Sequence, residues 1–96
     1  MEIILDGLLM TDRSVLHDLL AEKFAFPDYY GRNLDALYDL LSTYPERIDV
    51  TLIHEAQLHQ NLGNYGESLL YTLQDAASVN SNMKFSISDE FFENNS

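Results

Sequence analysis

Two acidic side chains, Asp35 and Asp39, lie four residues apart in the middle of the chain. At about 100° per residue this spacing puts both carboxylates on one face of a helix, with Leu34, Leu37 and Leu41 on another. Like charges so spaced mildly destabilise an isolated helix, and no Lys or Arg of the same helix offsets them. Paired carboxylates suit either proton transfer in an enzyme or the binding of cationic groups.

Aromatic residues accompany the two acids: Tyr29, Tyr30, Tyr38 and Tyr44. We expect the adjacent Tyr29 and Tyr30 to point in opposite directions, which leaves one of them for the core. Rigid aromatic anchors beside acids are typical of an interface that accepts cations. In the alternative interpretation, the helix dipole favours Asp35 in the first turn and Asp39 is a solvated surface residue. The residues alone leave both interpretations open.

Other chemistry finds less support in the sequence. Two exposed aspartates without an apolar pocket are poorly suited to divide the roles of acid and base, which argues against an enzyme. His54 and His59 are five residues apart instead of the four that place two imidazoles on one helix face, and His17 is expected at the surface of the first helix. The chain has no cysteine, which excludes disulfides, zinc-thiolate sites and thiol nucleophiles. We therefore expect no catalytic residues, no metal and no cofactor.

The charge balance narrows the choice of partner. Sixteen acidic residues against five Lys and Arg give a formal charge of -11, which repels phosphate backbones and favours cationic partners. We therefore expect no binding of nucleic acid. The first residues lack a basic leader, and their apolar run is too short for a signal peptide or a membrane span. This predicts a cytoplasmic protein without a membrane partner.

Length and hydrophobic periodicity predict the architecture that positions these residues. A chain of 96 residues suits one small domain, here residues 1–88, followed by the acidic tail Asp89 to Ser96. The apolar run Glu2 to Asp6 favours a strand buried on both faces. The remaining patterns predict, in order, a helix over Ser14 to Ala25, a helix capped by Asn33 and ending near Thr43, a strand over Ile48 to Ile53, helices over Ala56 to Leu62 and Glu67 to Ser78, and a strand over Met83 to Ser88. The order β-α-α-β-α-α-β indicates an α/β fold with a small three-stranded parallel sheet and about four helices.

The stretch Phe26 to Asp39, with its core Tyr-Tyr-Gly-x-Asn-Leu-Asp-Ala-Leu, resembles the signature segment of the barstar family. Members of this family are intracellular inhibitors of barnase, an extracellular bacterial ribonuclease. The similarity extends over about residues 1 to 88. It implies a barstar-like fold and a protein, monomeric when free, that blocks the active site of a basic ribonuclease in a one-to-one complex.

Carried over by position, the resemblance implies an inhibitory surface of nine residues: Tyr29, Gly31, Asn33, Leu34, Asp35, Tyr38, Asp39, Tyr44 and Asp75. Asp39 would be central, with its carboxylate in place of a substrate phosphate. Tyr38 and Tyr44 stand where the family has tryptophan, and Asp75 replaces a longer glutamate. Arg32 stands where the family has an acid, which makes a different ribonuclease or another basic toxin the alternative partner. The acidic composition leaves a further alternative, an interaction protein that mimics nucleic acid for a nucleic-acid-binding partner.

Overall fold

The computed structural model describes residues 1–88 as three strands and four α-helices. The elements are β1 (Glu2–Asp6), α1 (Arg13–Phe24), α2 (Leu34–Ser42), β2 (Ile48–Ile53), α3 (Glu55–Leu62), α4 (Asn64–Val79) and β3 (Met83–Ile87). A short 3-10 helix, Gly7–Leu9, follows β1. The predicted α/β class and element order are confirmed, whereas the predicted acidic tail lies outside the described residues.

The three strands form one parallel sheet in the order β1-β2-β3. Ile3 of β1 pairs with Val50 of β2, and both are buried on the face against which the helices pack. Successive side chains of a strand point to opposite faces, so Asp49 lies on the other face and is exposed. The prediction that β1 is buried on both faces was wrong: its burial alternates, and Ile4 is only half-buried.

Local hydrogen bonds set most helix boundaries. The Asp12 carboxylate accepts a hydrogen bond from the N–H of Val15 at 2.9 Å, so α1 begins one residue earlier than predicted. The α4 helix begins at Asn64 instead of Glu67, because Gly63 ends α3 and leads straight into the next helix. Gly63 has φ of +55°, a conformation that glycine adopts without steric penalty. The 3-10 helix after β1 was not predicted.

A buried amide joins the end of α2 to the end of α4. Asn80 donates hydrogen bonds from Nδ2 to the carbonyl oxygens of Leu41 and Tyr44, at 2.9 and 3.0 Å. The first bond satisfies a carbonyl in the last turn of α2, and the second satisfies a carbonyl just beyond the end of the helix. The α2 and α4 helices therefore pack as a fixed pair, and α2 presents its opposite side outward. Within residues 1–88, no helix combines the length and the hydropathy needed to cross a membrane.

Candidate functional site

The loop before α2 is held by hydrogen bonds that its own sequence supplies. The Tyr30 N–H donates to the Pro27 carbonyl at 3.0 Å, which closes a turn. Asn33 Oδ1 then accepts from the N–H of Ala36 at 2.8 Å, and Asn33 Nδ2 donates to the Gly31 carbonyl at 3.1 Å. The predicted cap is thus confirmed, and it joins the loop rigidly to the first turn of the helix.

Gly31 lies close to that first turn. A Cβ atom at this position would come within 3.2 Å of the Ala36 Cβ and 3.3 Å of Asn33 Nδ2. Both distances are shorter than ordinary van der Waals contact, so a side chain here would require the side chains of Ala36 and Asn33 to shift by a few tenths of an ångström. Gly31 thus lets the loop approach the first turn of α2 closely.

Three carboxylates lie exposed on the outward side of α2 and on its neighbour α4. They belong to Asp35, Asp39 and Asp75, and none of them forms an ion pair within residues 1–88. We call the exposed surface formed by Tyr29, Asp35, Asp39 and Asp75 the acidic face. Because no ion pair within residues 1–88 engages these three carboxylates, they are available to cations of another protein.

The aromatic residues of the predicted site differ in exposure. Tyr29 is 80% exposed whereas Tyr30 is 7% exposed, which confirms that the two neighbours point apart. Tyr38 is half-buried and packs against the core, as does Leu34. The structure thus brings seven of the nine predicted residues together on one loop and one helix.

Tyr44 follows α2 and is anchored inward. Its hydroxyl donates to the Phe24 carbonyl at 3.2 Å, and its ring lies edge-on to the Phe24 ring with 6.2 Å between centroids. Burial raises the pKa of Tyr44, and the nearby Glu46 carboxylate raises it further. Only part of this side chain therefore reaches the surface, at the far end of α2 from Tyr29.

His17 lies behind the loop and is buried, so its predicted surface position was wrong. Nδ1 is 2.6 Å from the Tyr30 hydroxyl oxygen, and Nε2 is 2.7 Å from that of Tyr65. We call Tyr30, His17 and Tyr65 the His17 cluster. Burial lowers the pKa of His17, the Arg32 guanidinium lowers it further, and the Asp18 carboxylate opposes this shift. The imidazole stays inside because both of its nitrogens have partners.

The sequence carried no signal for this cluster, since Tyr65 lies 48 residues from His17. Two arginines lie near it. The Arg13 guanidinium is 4.1 Å from the centroid of the Tyr65 ring, and Arg32 pairs with Asp18. An open pocket of about 640 Å³ lies between them, lined by Arg13, Ser14, His17, Arg32, Asn33, Leu34, Asp35 and Tyr65. The pocket shares Asp35 with the acidic face.

The other two histidines form separate pairs with carboxylates. His54 Nδ1 is 2.7 Å from Asp6 Oδ1, and His59 Nε2 is 3.0 Å from Glu55 Oε2. Across the described part of the chain, no three His, Cys, Asp or Glu side chains are grouped so that they could hold a metal ion. These pairs therefore do not add a metal centre to the site.

Comparison with known proteins gives the family. Residues 1–89 match the family model described as barstar (barnase inhibitor). The chain belongs to the barstar family. It is also 43% identical over 77 residues to a Bacillus subtilis (strain 168) protein named "Putative ribonuclease inhibitor YrdF". That match covers 78% of this chain and 84% of the relative.

Family membership confirms the resemblance inferred from the segment Phe26 to Asp39. The three-stranded parallel sheet with four helices agrees with the barstar-like fold that the resemblance implied. Since the family is described by its inhibition of barnase, this barstar-family chain is similar to proteins that bind a ribonuclease.

Proposed function

We propose that this chain inhibits a basic bacterial ribonuclease by covering its active site with the acidic face. The observation that supports this most directly is the exposure of Asp35 and Asp39 on one side of α2, without ion pairs within residues 1–88. The exposed ring of Tyr29 lies on the loop that leads into the same helix. A ribonuclease that binds RNA must present cationic groups to the phosphates, and these are the groups that the acidic face suits.

Asp39 would act as the substitute for a phosphate. Its two carboxylate oxygens can accept parallel hydrogen bonds from one arginine guanidinium, as two phosphate oxygens do. Asp35, one helical turn earlier, would bind a second cation of the cleft. The inhibitor would thus occupy the positions of the substrate charges while offering no bond that the enzyme can cleave.

The local structure supports tight binding because little of it has to be ordered on association. The Asn33 cap and the turn at Tyr30 already fix the loop, and Asn80 holds the other end of α2. An interface that is ordered in advance loses less conformational entropy when it forms. Tyr29 would then close the edge of the interface and exclude water from the charged contacts.

The residues of the acidic face belong to one loop, α2 and the α4 helix packed against it, so we expect one inhibitor for each enzyme molecule. Exposed carboxylates on a helix surface suit ion pairing better than proton transfer, which favours a binding protein over an enzyme. Inhibition would be needed wherever the nuclease meets the RNA of the producing cell, so we propose the cytoplasm as its place of action.

Titration of ribonuclease activity tests this proposal. Barnase is mixed with increasing amounts of the full chain, and cleavage of a fluorogenic RNA is measured; the chain alone serves as the control for turnover. We expect activity to fall linearly and to vanish near equimolar inhibitor. Full activity of barnase and of other secreted basic ribonucleases at a large excess of the chain would contradict the proposal, as would RNA cleavage by the chain alone.

A further inference from the structure

A cationic pocket borders the acidic face between α1 and the start of α2. It has a volume of about 640 Å³, and its walls include Arg13, Arg32, His17 and Tyr65 together with Leu34 and Asp35. Two of the five Lys and Arg residues of the chain therefore meet at one place, in a protein with a net charge of -11. This local positive charge calls for an explanation different from that of the acidic face.

Arg13 has a fixed support but no acidic partner within residues 1–88. Its guanidinium lies over the Tyr65 ring at 4.1 Å from the centroid, and within residues 1–88 it forms no ion pair. Tyr65 is in turn hydrogen-bonded to the buried His17. A guanidinium that lies over an aromatic face keeps its N–H groups for other acceptors. Arg13 is therefore positioned in advance to bind an anion.

Arg32 lines the same pocket as His17 and Tyr65. It lies two residues after Tyr30, whose hydroxyl is bonded to His17, and its backbone has φ of +54°. Strained backbone of this kind in a residue other than glycine is enriched at binding sites. The side chains of Arg32 and its partner Asp18 are 54% and 62% exposed, so water screens the pair and Arg32 can turn to a second acceptor at small cost.

The start of α2 adds partial positive charge to the same pocket. Asn33 caps the N–H of Ala36, so the N–H groups of Leu34 and Asp35 keep no acceptor within the helix. The Asp35 carboxylate also lines the pocket and repels anions, more strongly when they carry two charges. The pocket thus suits a singly charged anion on a partner that also carries cations, and those cations would pair with Asp35 and Asp39.

We propose that this pocket receives an aspartate or glutamate side chain of the partner ribonuclease, next to the basic groups that the acidic face binds. The inference rests on the proposed function and extends it to the choice of partner. The chain would bind ribonucleases that carry a carboxylate beside their basic cleft in preference to those that lack one. A carboxylate is favoured over a phosphate because Asp18, Asp35 and the net charge all oppose a doubly charged group.

Binding of small anions to the free chain tests the pocket without a ribonuclease. The isotopically labelled chain is titrated with sodium acetate, sodium phosphate or sodium chloride at matched ionic strength, and NMR follows the Nε–H signals of Arg13 and Arg32 and the amide of Leu34. We expect saturable shifts with acetate that chloride does not reproduce. Arg13→Gln should weaken acetate binding by roughly threefold, the scale of an exposed ion pair. Lys84→Gln, which makes the same charge change on the open face of the sheet, should leave it unchanged.

If the two variants weaken acetate binding equally, or if chloride reproduces the shifts, the signals report ionic screening only. Either result would overturn the proposal that the pocket binds a carboxylate. Tighter binding of phosphate than of acetate would overturn the choice of a carboxylate. The ribonuclease titration separates the two proposals: inhibition without acetate binding contradicts the pocket alone. Acetate binding without inhibition contradicts the proposed function, and with it the assignment of the pocket to an acid of a ribonuclease, while the anion site itself stands.

Two charge-reversal variants give a second test, carried out with any ribonuclease that the titration shows to be inhibited. The quantity compared is the direction in which each variant changes the affinity. Lys84→Glu should leave the affinity unchanged or raise it, because added negative charge attracts a basic enzyme. Arg13→Glu makes the same change in net charge but should lower the affinity, since it sets a carboxylate against the partner's acid. A rise in affinity for both variants would overturn the inference.

Discussion

The acidic face and the His17 cluster both adjoin the loop before α2, and they differ in how their polar groups are satisfied. In the cluster, both nitrogens of His17 have a tyrosine hydroxyl within hydrogen-bond distance. On the acidic face, Asp35 and Asp39 form no ion pair with any residue from 1 to 88. Burial accounts for the difference, since His17 is 2% exposed and the two aspartates are open to solvent.

A buried polar group without a partner lowers stability, so the chain has to supply its partners from within. An exposed carboxylate stays hydrated and can exchange its water for a cation of another protein. Tyr29 and Tyr30 show the same division between neighbouring residues, one exposed and one in the cluster. Substitutions in the cluster should therefore change the free energy of unfolding, and substitutions on the acidic face should change binding.

The largest expected effect is that of His17→Ala on stability. The substitution removes a buried ring and leaves the hydroxyls of Tyr30 and Tyr65 without their acceptor or donor. We expect the free energy of unfolding to fall by about 3 kcal/mol, from the cavity and the unpaired groups together. Urea denaturation followed by circular dichroism measures this loss.

His59→Ala is the matched control, because His59 is a half-exposed imidazole whose Nε2 faces one carboxylate on α3. Its loss should stay below about 1 kcal/mol, as for exposed ion pairs. If the two variants lose the same small amount, the cluster does not stabilise the fold and the contrast between the two regions fails.

Asp39→Ala should give the second largest effect, and only on binding. It would leave a cation of the ribonuclease buried without its counter-charge, a situation for which the barnase and barstar pair is itself the standard measured case. We expect the binding free energy to weaken by about 2 kcal/mol, the general threshold of a hot spot, or about 30-fold in Kd. Calorimetry with barnase measures it, and the melting temperature should not change.

Asp49→Ala removes one exposed acid from the open face of the sheet and controls for net charge. It should change Kd by less than threefold, as expected for a surface charge away from the interface. Similar losses for both variants would mean that α2 is not the inhibitory surface.

The sequence predicted the outward side of α2 correctly because the pattern that sets it is local. The spacing of Asp35 and Asp39 against the leucines fixes which side of α2 faces outward, and Asn33 marks where the helix begins. The start of α4 was predicted three residues too late. A single residue, Gly63, separates α3 from α4, so the sequence offers no longer loop that would mark the boundary.

The His17 cluster and the cationic pocket could not be predicted in this way. His17 meets Tyr65 across 48 residues, and Arg32 meets Asp18 across 14 residues on another element. Such contacts depend on how α1 packs beside the loop and the start of α4, which neither helical periodicity nor composition specifies. No local pattern distinguishes a buried from an exposed histidine between Leu16 and Asp18, so the burial of His17 became visible only in the folded chain.

Asn33 belongs to both sides of the comparison, because it caps α2 and also lies in the predicted inhibitory surface. Asn33→Ala removes the acceptor for the Ala36 N–H and should lower the free energy of unfolding by about 1 kcal/mol. Asn33→Asp keeps an acceptor at the same place and loses only the hydrogen bond that Nδ2 donates to Gly31. Thermal and urea unfolding should therefore show most of the stability restored in Asn33→Asp, and equal losses would show that the cap does not hold the loop.

The smallest expected effect is a pH dependence of stability that belongs to His17. In the folded chain, burial and the Arg32 guanidinium lower the pKa of His17 below its ordinary value of 6.5, against the smaller opposing effect of Asp18. The unfolded chain therefore takes up the proton first as the pH falls. The contribution of His17 to stability is fully present above about pH 6.5 and decreases as the pH falls towards the lowered pKa. A protonated ring would also donate from both nitrogens, so neither Tyr30 nor Tyr65 could donate to it.

The free energy of unfolding, measured from pH 8 to pH 5 in the wild type and in His17→Gln, isolates this contribution, because the carboxylates and the other histidines titrate in both proteins. The difference between the two should shrink as the pH falls below 6.5, and a constant difference would show that the cluster accepts a charged imidazole as readily as a neutral one.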